Sequence, residues 1–321
     1  MSNEVIELID LPRNTLNNSA VGAALLCPAK YEFSQIRKFK QRGSSALILG
    51  SAFHAGQNFA NGVMVGGNDR PTVEAIQGQC REALPLELTK TQERSGLEIE
   101  WKKHKDGSVD TMERLIDDVV KMAGTYEAEA GRKLEPVFSE RAFTLRFKDV
   151  EWVFNGRMDA GTRQGAILDF KTSEVMKPEI TPFIDVQLTD YNIAVEFGDD
   201  ELMALMPVVT ELQQHVVIRP SPKYPNGRVQ ILRAPARTRE TMDARLKNIA
   251  TVVGMIRAGY FPKVENWQVC SWCGFLETCN PAWYEINQEL SRLKADAEKA
   301  EKATNPKKPK PAAGKSKGGR S

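Results

Sequence analysis

The sequence predicts a mixed α/β fold, in which a central mixed sheet is flanked by helices. Three observations carry this expectation. Strand-like runs at 137–148, 151–159 and 165–172 follow one another, and a further pair stands at 211–220 and 227–235. Amphipathic helical patterns precede, separate and follow them. The resulting order, helices and then βββαββα, places a sheet between helical layers. At 321 residues, 41% hydrophobic and 27% charged, the chain is long enough for one large domain or two smaller ones.

Residues 16–39, LNNSAVGAALLCPAKYEFSQIRKF, open with cap-forming Asn and Ser and continue as an apolar helix ending near Cys27-Pro28. Pro28 can begin another helix in which Tyr31 and Phe33 pack. SSALILGSAFHAGQNFANG (44–62) is small and apolar, a helix packed closely on a neighbour, with His54 inside it. From Gly62 to about Thr91 turn signals mix with a short helical pattern, and no clear element is predicted. Residues 90–108 are polar, and His104 is expected to be a solvated surface histidine. Residues 110–134 place Met112, Leu115, Ile116, Val119, Val120, Met122 and Ala123 on an amphipathic helix with a basic last turn.

Three strands come next. In GAILDFKT (165–172) the two-residue period sends Asp169 and Lys171 to one face and Leu168 and Phe170 to the other. The apolar pair can then enter a core while the charged pair stays at the strand's edge. AGTRQG links this run as a hairpin to EWVFNGRMD, which lets Asp159 converge with Asp169. A helix at 186–198 follows, then the strand pair, in which His215 reads as a packed or edge side chain rather than a ligand. Residues 238–259 form a long amphipathic helix. After Trp283 the pattern is helix-prone with little to bury, and 304–321 is a Lys/Pro/Gly-rich tail expected to be disordered. Its GKS lacks the earlier glycine of a phosphate loop, because Pro309 stands there.

The net charge of +2 is unevenly placed. Residues 304–321 hold six of the 44 basic residues and no acid; the rest sets 38 basic against 42 acidic, a body of net −4. A polyanion would therefore need a local basic groove. The acidic first residues show no secretory pattern, and no apolar run approaches about 18 residues, so a cytoplasmic protein with no membrane span is expected.

Two convergent carboxylates with a lysine nearby suit a hard divalent cation such as Mg²⁺ at a phosphoryl-transfer site. D-x-K alone is a weak motif, since an Asp–Lys pair more often simply decorates a hairpin. The five cysteines, Cys27, Cys80, Cys270, Cys273 and Cys279, are odd in number and do not read as a disulfide framework. C-x₂-C-x₅-C at 270–279 puts three thiols in one short loop, with Cys27 or Cys80 able to supply a fourth ligand. Structural zinc and an iron–sulphur cluster both fit that donor set.

CPAKYEF (27–33), GSAFH (50–54), GRMD ending at Asp159, DFK (169–171), Gln187-x₃-Tyr191 and C-x₂-C-x₅-C follow in that order. This succession over 16–281 resembles the RecB-type branch of the PD-(D/E)XK nuclease superfamily, in the subgroup with an iron–sulphur cluster. CRISPR-adaptation nucleases and the nuclease domains of recombination helicase–nucleases are similar. The resemblance implies a restriction-endonuclease-like core. Asp159 and Asp169 would hold Mg²⁺ or Mn²⁺, with His54 joining or supporting them and Lys171 as the catalytic lysine. Gln187 and Tyr191, on one helical face, would orient the site or touch the DNA backbone. Cys27, Cys270, Cys273 and Cys279 would hold a 4Fe–4S cluster, leaving Cys80 as the spare, and Glu140 would have a supporting role. Asp169 stands where many relatives carry Glu, and no helicase motif is present.

The implied organisation is an N-terminal helical region at 1–134 carrying Cys27 and His54, a nuclease core at 135–265, a cluster-binding segment at 266–285 used with Cys27, and a helical then basic tail at 286–321. The implied function is a metal-dependent DNA nuclease, an exonuclease of recombination, repair or phage DNA metabolism, with a helicase, recombinase or integrase as partner. The alternative is a non-catalytic or partner-dependent DNA-binding subunit of a larger complex, as in CRISPR adaptation.

Overall fold

The computed structural model describes residues 14–104, 107–147, 151–198 and 200–304, so the tail expected to be disordered lies outside the described residues beyond 304. The chain divides into two compact units, Met1–Val264 and Glu265–Ser321.

In the first unit the strands are β1 (Thr15–Leu16), β2 (Pro136–Arg146), β3 (Val153–Thr162), β4 (Ala166–Ser173), β5 (Glu211–Ile218) and β6 (Arg228–Pro235). The helices are α1 (Asn18–Leu26), α2 (Pro28–Tyr31), α3 (Ser45–Val65), α4 (Val73–Ser95), α5 (Met112–Glu129), α6 (Thr181–Ile184), α7 (Val186–Phe197), α8 (Asp200–Leu205) and α9 (Arg239–Arg257). A π-turn, Glu32–Ile36, continues α2. Side-chain caps start the long helices: Ser44 for α3, Thr72 for α4, Thr111 for α5, Asp185 for α7 and Thr238 for α9.

The sheet is mixed. β2–β3, β3–β4 and β5–β6 are antiparallel, while β1–β3 and β4–β5 are parallel. β2 pairs along the length of β3, so β1 at Val153–Phe154 and β4 at Ala160–Gly161 must share the opposite edge. Residues 155–159 lie between those two contacts, and among the described residues they have no ladder partner on that edge.

Helices cover both faces. Ile167 points into a core with Leu188 and Tyr191 of α7 and Ile249 and Val252 of α9. Leu168 and Phe170 point into a second core with Phe53 of α3, Leu84 of α4 and Tyr126 of α5. Each such side chain contributes about 1.5–3 kcal/mol by leaving water.

Several expectations change. β4 is a central strand between β3 and β5, so Asp169 is 0% exposed rather than held at a sheet edge. The hairpin strands run further than expected, and only 163–165 turn, at Gly165 with φ +84°. The unassigned stretch after Gly62 contains α4, of 23 residues, whose sparse apolar pattern and internal Pro85 hide it. His104 is not solvated: it contacts Asp110 at 2.6 Å and its side chain is 18% exposed. His215 is a packed side chain, 1% exposed. A two-residue strand, β1, precedes the first helix, which starts at Asn18 behind an Asn17 cap and ends at Cys27 as its pattern predicts.

The second unit holds α10 (Trp267–Cys270), α11 (Leu276–Cys279) and α12 (Pro281–Thr304). Among the described residues no helix is long and apolar enough to cross a membrane.

Candidate active site

The β3–β4 ladder ends at Ala160↔Leu168, and beyond it the strands splay. β5 occupies the far edge of β4, so the Phe170 peptide groups facing the opened edge need other partners. Asp159 Oδ2 accepts the Phe170 N–H at 2.7 Å. His54, carried by α3, donates from Nε2 to the Phe170 carbonyl at 2.8 Å. A carbonyl can only accept, so this bond places the ring proton on Nε2 and leaves the Nδ1 lone pair facing Asp159 Oδ2, 3.7 Å away. Burial lowers the His54 pKa by more than the neighbouring Asp169 raises it, so the ring is neutral.

Glu140 of β2 lies across from Asp159, between the pairs Ser139↔Ala160 and Arg141↔Met158. Its φ of +49° is left-handed backbone in a non-glycine residue, which costs about 1–3 kcal/mol and aims the carboxylate away from the regular pleat. Arg157 Nε holds Glu140 Oε2 at 2.5 Å. One ligand atom from each of His54, Glu140 and Asp159 lies within 4.8 Å of the others, the one such group among the described residues.

Asp169 stands outside that group, on the α7 face. Lys171 Nζ donates to Asp169 Oδ1 at 2.8 Å and to Gln187 Oε1 at 3.0 Å. Gln187 Nε2 in turn donates to the Tyr191 hydroxyl. Tyr191 is 2% exposed and packs edge-on against Phe143, so its hydroxyl acts on Gln187 from within the core. Gln214 of β5 donates to Asp185 Oδ2 at 2.6 Å and lies 3.4 Å from Asp169 Oδ2. Sequence reasoning missed Asp185 and Gln214. Asp185 is legible as a helix cap, but its place beside Asp169 follows from the register Asp169↔Gln214.

Burial raises the pKa of Asp159, and only partly do the Phe170 N–H, Lys171 and Arg157 offset it. Burial likewise raises Asp169, with Asp159 and Asp185 adding to it against the pull of Lys171. Burial, aided by Asp159, also raises Glu140. Burial opposes the Lys171 ammonium, but Asp169, Asp159 and Asp185 outweigh it and its pKa is raised. The site thus concentrates buried negative charge around one ammonium. Carboxylate oxygens beside a neutral imidazole lone pair fit a hard divalent cation, which would relieve that charge.

In the second unit, C-x₂-C-x₅-C spans the end of α10, a turn and α11. Cys273 N–H donates to the Cys270 carbonyl at 3.1 Å, and Cys279 N–H to that of Phe275 at 2.8 Å. Among the described residues the cysteine sulphurs do not form a converged ligand group. Cys27 caps the end of α1, and Cys80 is fully buried on α4, where burial pushes its thiol up to about 12.

Among curated proteins nothing matches the chain. A solved structure from Eubacterium rectale, described as a putative exonuclease, is 11% identical and aligns over 87% of this chain and 92% of its own, with a TM-score of 0.47. The structure of SSO0001 is 14% identical over 45% of this chain and 59% of its own, with a TM-score of 0.29. The family model of the PD-(D/E)XK nuclease superfamily matches residues 15–280, which takes in every element of the site. The chain belongs to the PD-(D/E)XK nuclease superfamily.

Proposed function

We propose that this protein is a metal-dependent deoxyribonuclease of the RecB-type branch, acting as an exonuclease, with Mg²⁺ or Mn²⁺ held by His54, Glu140, Asp159 and Asp169. The observation that carries this reading is the His54–Glu140–Asp159 group beside a buried carboxylate–ammonium pair on one strand. When bound, the cation would supply Lewis acidity toward water and the phosphoryl oxygens. The chain's own residues do the rest. With its raised pKa, Lys171 is an ammonium: it offsets charge on the phosphoryl group and takes no proton from water. Gln187 holds that ammonium in one direction, and Tyr191 holds Gln187. Hydrolysis transfers a water oxygen to phosphorus, breaks the bond to the sugar oxygen and returns a proton to the departing alkoxide.

The exonuclease assignment and a role in recombination, repair or phage DNA metabolism rest on the order of the sequence motifs. So does the division into an N-terminal helical region, a nuclease core at 135–265 and a cluster-binding segment at 266–285. A helicase, recombinase or integrase partner has the same support. The motif order and the three-thiol segment also support a 4Fe–4S cluster held by Cys27, Cys270, Cys273 and Cys279. Anaerobically purified protein should then contain iron and acid-labile sulphide, and stoichiometric zinc without iron would overturn the cluster.

The test of the nuclease is degradation of end-labelled linear DNA and of circular DNA with Mn²⁺, wild type beside Lys171→Ala. Wild type should shorten linear DNA only, and EDTA should stop it. Cleaved circles would make it an endonuclease; intact DNA throughout, or equal cleavage by the variant, would defeat the mechanism.

A further inference from the structure

Between the π-turn and α3 the chain passes through Arg37, Lys38, Phe39, Lys40, Gln41 and Arg42, all exposed. Four of these residues are cationic, on a body whose net charge without the tail is −4.

The loop is built. Lys38 adopts φ +56°, which reverses the chain so that Phe39 N–H donates to the Phe33 carbonyl at 2.8 Å. The Phe39 ring stacks on the buried Phe33 ring, with centroids 5.5 Å apart and planes at 17°. The Arg37 guanidinium lies 5.7 Å from the Phe33 centroid and is held by Glu32 at 2.6 Å. Lys40 Nζ is tied to the Arg94 carbonyl at 2.7 Å. Phe39 nonetheless remains 39% exposed, and among the described residues no acid pairs with Lys38 or Arg42.

A fixed, half-exposed ring between unpaired cations is what a single strand needs. Any base can stack on the ring while its phosphates meet the cations, and a duplex hides its base faces from such a ring. The loop is also placed for it. α3 begins at Ser45, just past the loop, and carries His54 nine residues on, about 14 Å along the helix axis. That stretch of helix alone is as long as about four nucleotides of a stacked strand. Ser44 bridges to Glu100, and from the same segment Lys102 reaches Glu174, the residue after β4 ends.

We propose that residues 37–42 are a single-strand guide, with Phe39 as the stacking ring and Lys38 and Arg42 as phosphate contacts, leading unpaired DNA to the His54 centre. The direction of travel rests on the nuclease reading; strand binding by the loop does not.

The experiment is fluorescence anisotropy of labelled single-stranded and duplex DNA with the full chain in EDTA, where cleavage does not intrude. Phe39→Ala should weaken single-strand binding about tenfold and leave duplex binding unchanged. Lys38→Glu combined with Arg42→Glu should reduce the salt slope of single-strand binding by about 1.4. All three positions are exposed, and unchanged circular dichroism checks the fold. Variants that bind like wild type, or a Phe39→Ala variant that loses duplex and single strand equally, would overturn the guide. Loop-dependent binding without any cleavage would remove the nuclease reading alone, and cleavage with loop-independent binding would remove the guide alone.

Discussion

The carboxylate of Asp159 takes the Phe170 N–H at 2.7 Å, in the place where a backbone carbonyl of β3 would continue the ladder. The residue is both a structural acceptor and a candidate ligand, and the two roles can be separated. Asp159→Asn keeps an oxygen for Phe170 but removes the charge. The variant should fold with near wild-type stability while Mn²⁺ affinity and cleavage fall more than about a hundredfold. Calorimetric titration with Mn²⁺ beside an unfolding curve measures both, and unchanged affinity would take Asp159 out of the site.

Gln187 is expected to matter through Lys171. Gln187→Ala should lower kcat about a hundredfold with little change in KM, because a displaced ammonium loses its alignment. Tyr191→Phe removes only the hydroxyl that steadies Gln187 and should cost less. Steady-state kinetics on a linear substrate decide it, and a fall of the same size in both variants would contradict this order.

Arg219 is 5% exposed and bonds to two buried carboxylates, Asp110 at 2.8 Å and Asp118 at 2.6 Å. Arg219→Ala strands Asp118 and leaves Asp110 the hydrogen bonds of Ser45 and His104, and should destabilise the fold by about 3–5 kcal/mol. Urea unfolding reads that loss, and a change below about 1 kcal/mol would show the cluster to be dispensable.

His215 sets a pH dependence. The Tyr126 hydroxyl and Gln213 Oε1 satisfy its two ring nitrogens at 2.7 Å each, while burial and then Arg233 lower its pKa to about 3. Unfolded histidine takes a proton near about pH 6.5. Below that pH the unfolded chain binds a proton that the native state refuses, so stability falls as the pH drops toward 3, by about 1.4 kcal/mol per unit. Asp159 and Asp169, with raised pKa values, act in the opposite sense. The readout is therefore the difference between wild type and His215→Phe in urea midpoint at about pH 7 and about pH 5. The variant should lose this component of the slope, and parallel pH profiles would refute it.

Much of the site could be read from period and order. Residue parity placed Asp169 with Lys171 and away from Leu168 and Phe170, because side chains alternate whatever the tertiary context. The hairpin that joins Asp159 to Asp169 followed from two apolar runs and a turn. What escaped depends on register and backbone. Nothing in VFSERAF marks the left-handed φ that turns Glu140 toward Asp159. Asp185 and Gln214 reach Asp169 only once β5 pairs with β4. α4 escaped because its apolar residues are few and Pro85 interrupts the pattern, although its Thr72 cap and left-handed Gly96 bound it clearly in three dimensions.

The bare stretch of β3 at 155–159 has a consequence for solubility. Unsatisfied strand edges invite foreign strands and so nucleate aggregates. Here β1 closes one end of the opening and β4 the other, so the open edge is confined to five residues rather than running the length of the strand. The protein can keep backbone groups open next to its carboxylates without offering a sticky border. A minimal strand of two residues, Thr15–Leu16, which adds little to the sheet's strength, is in this sense its guard.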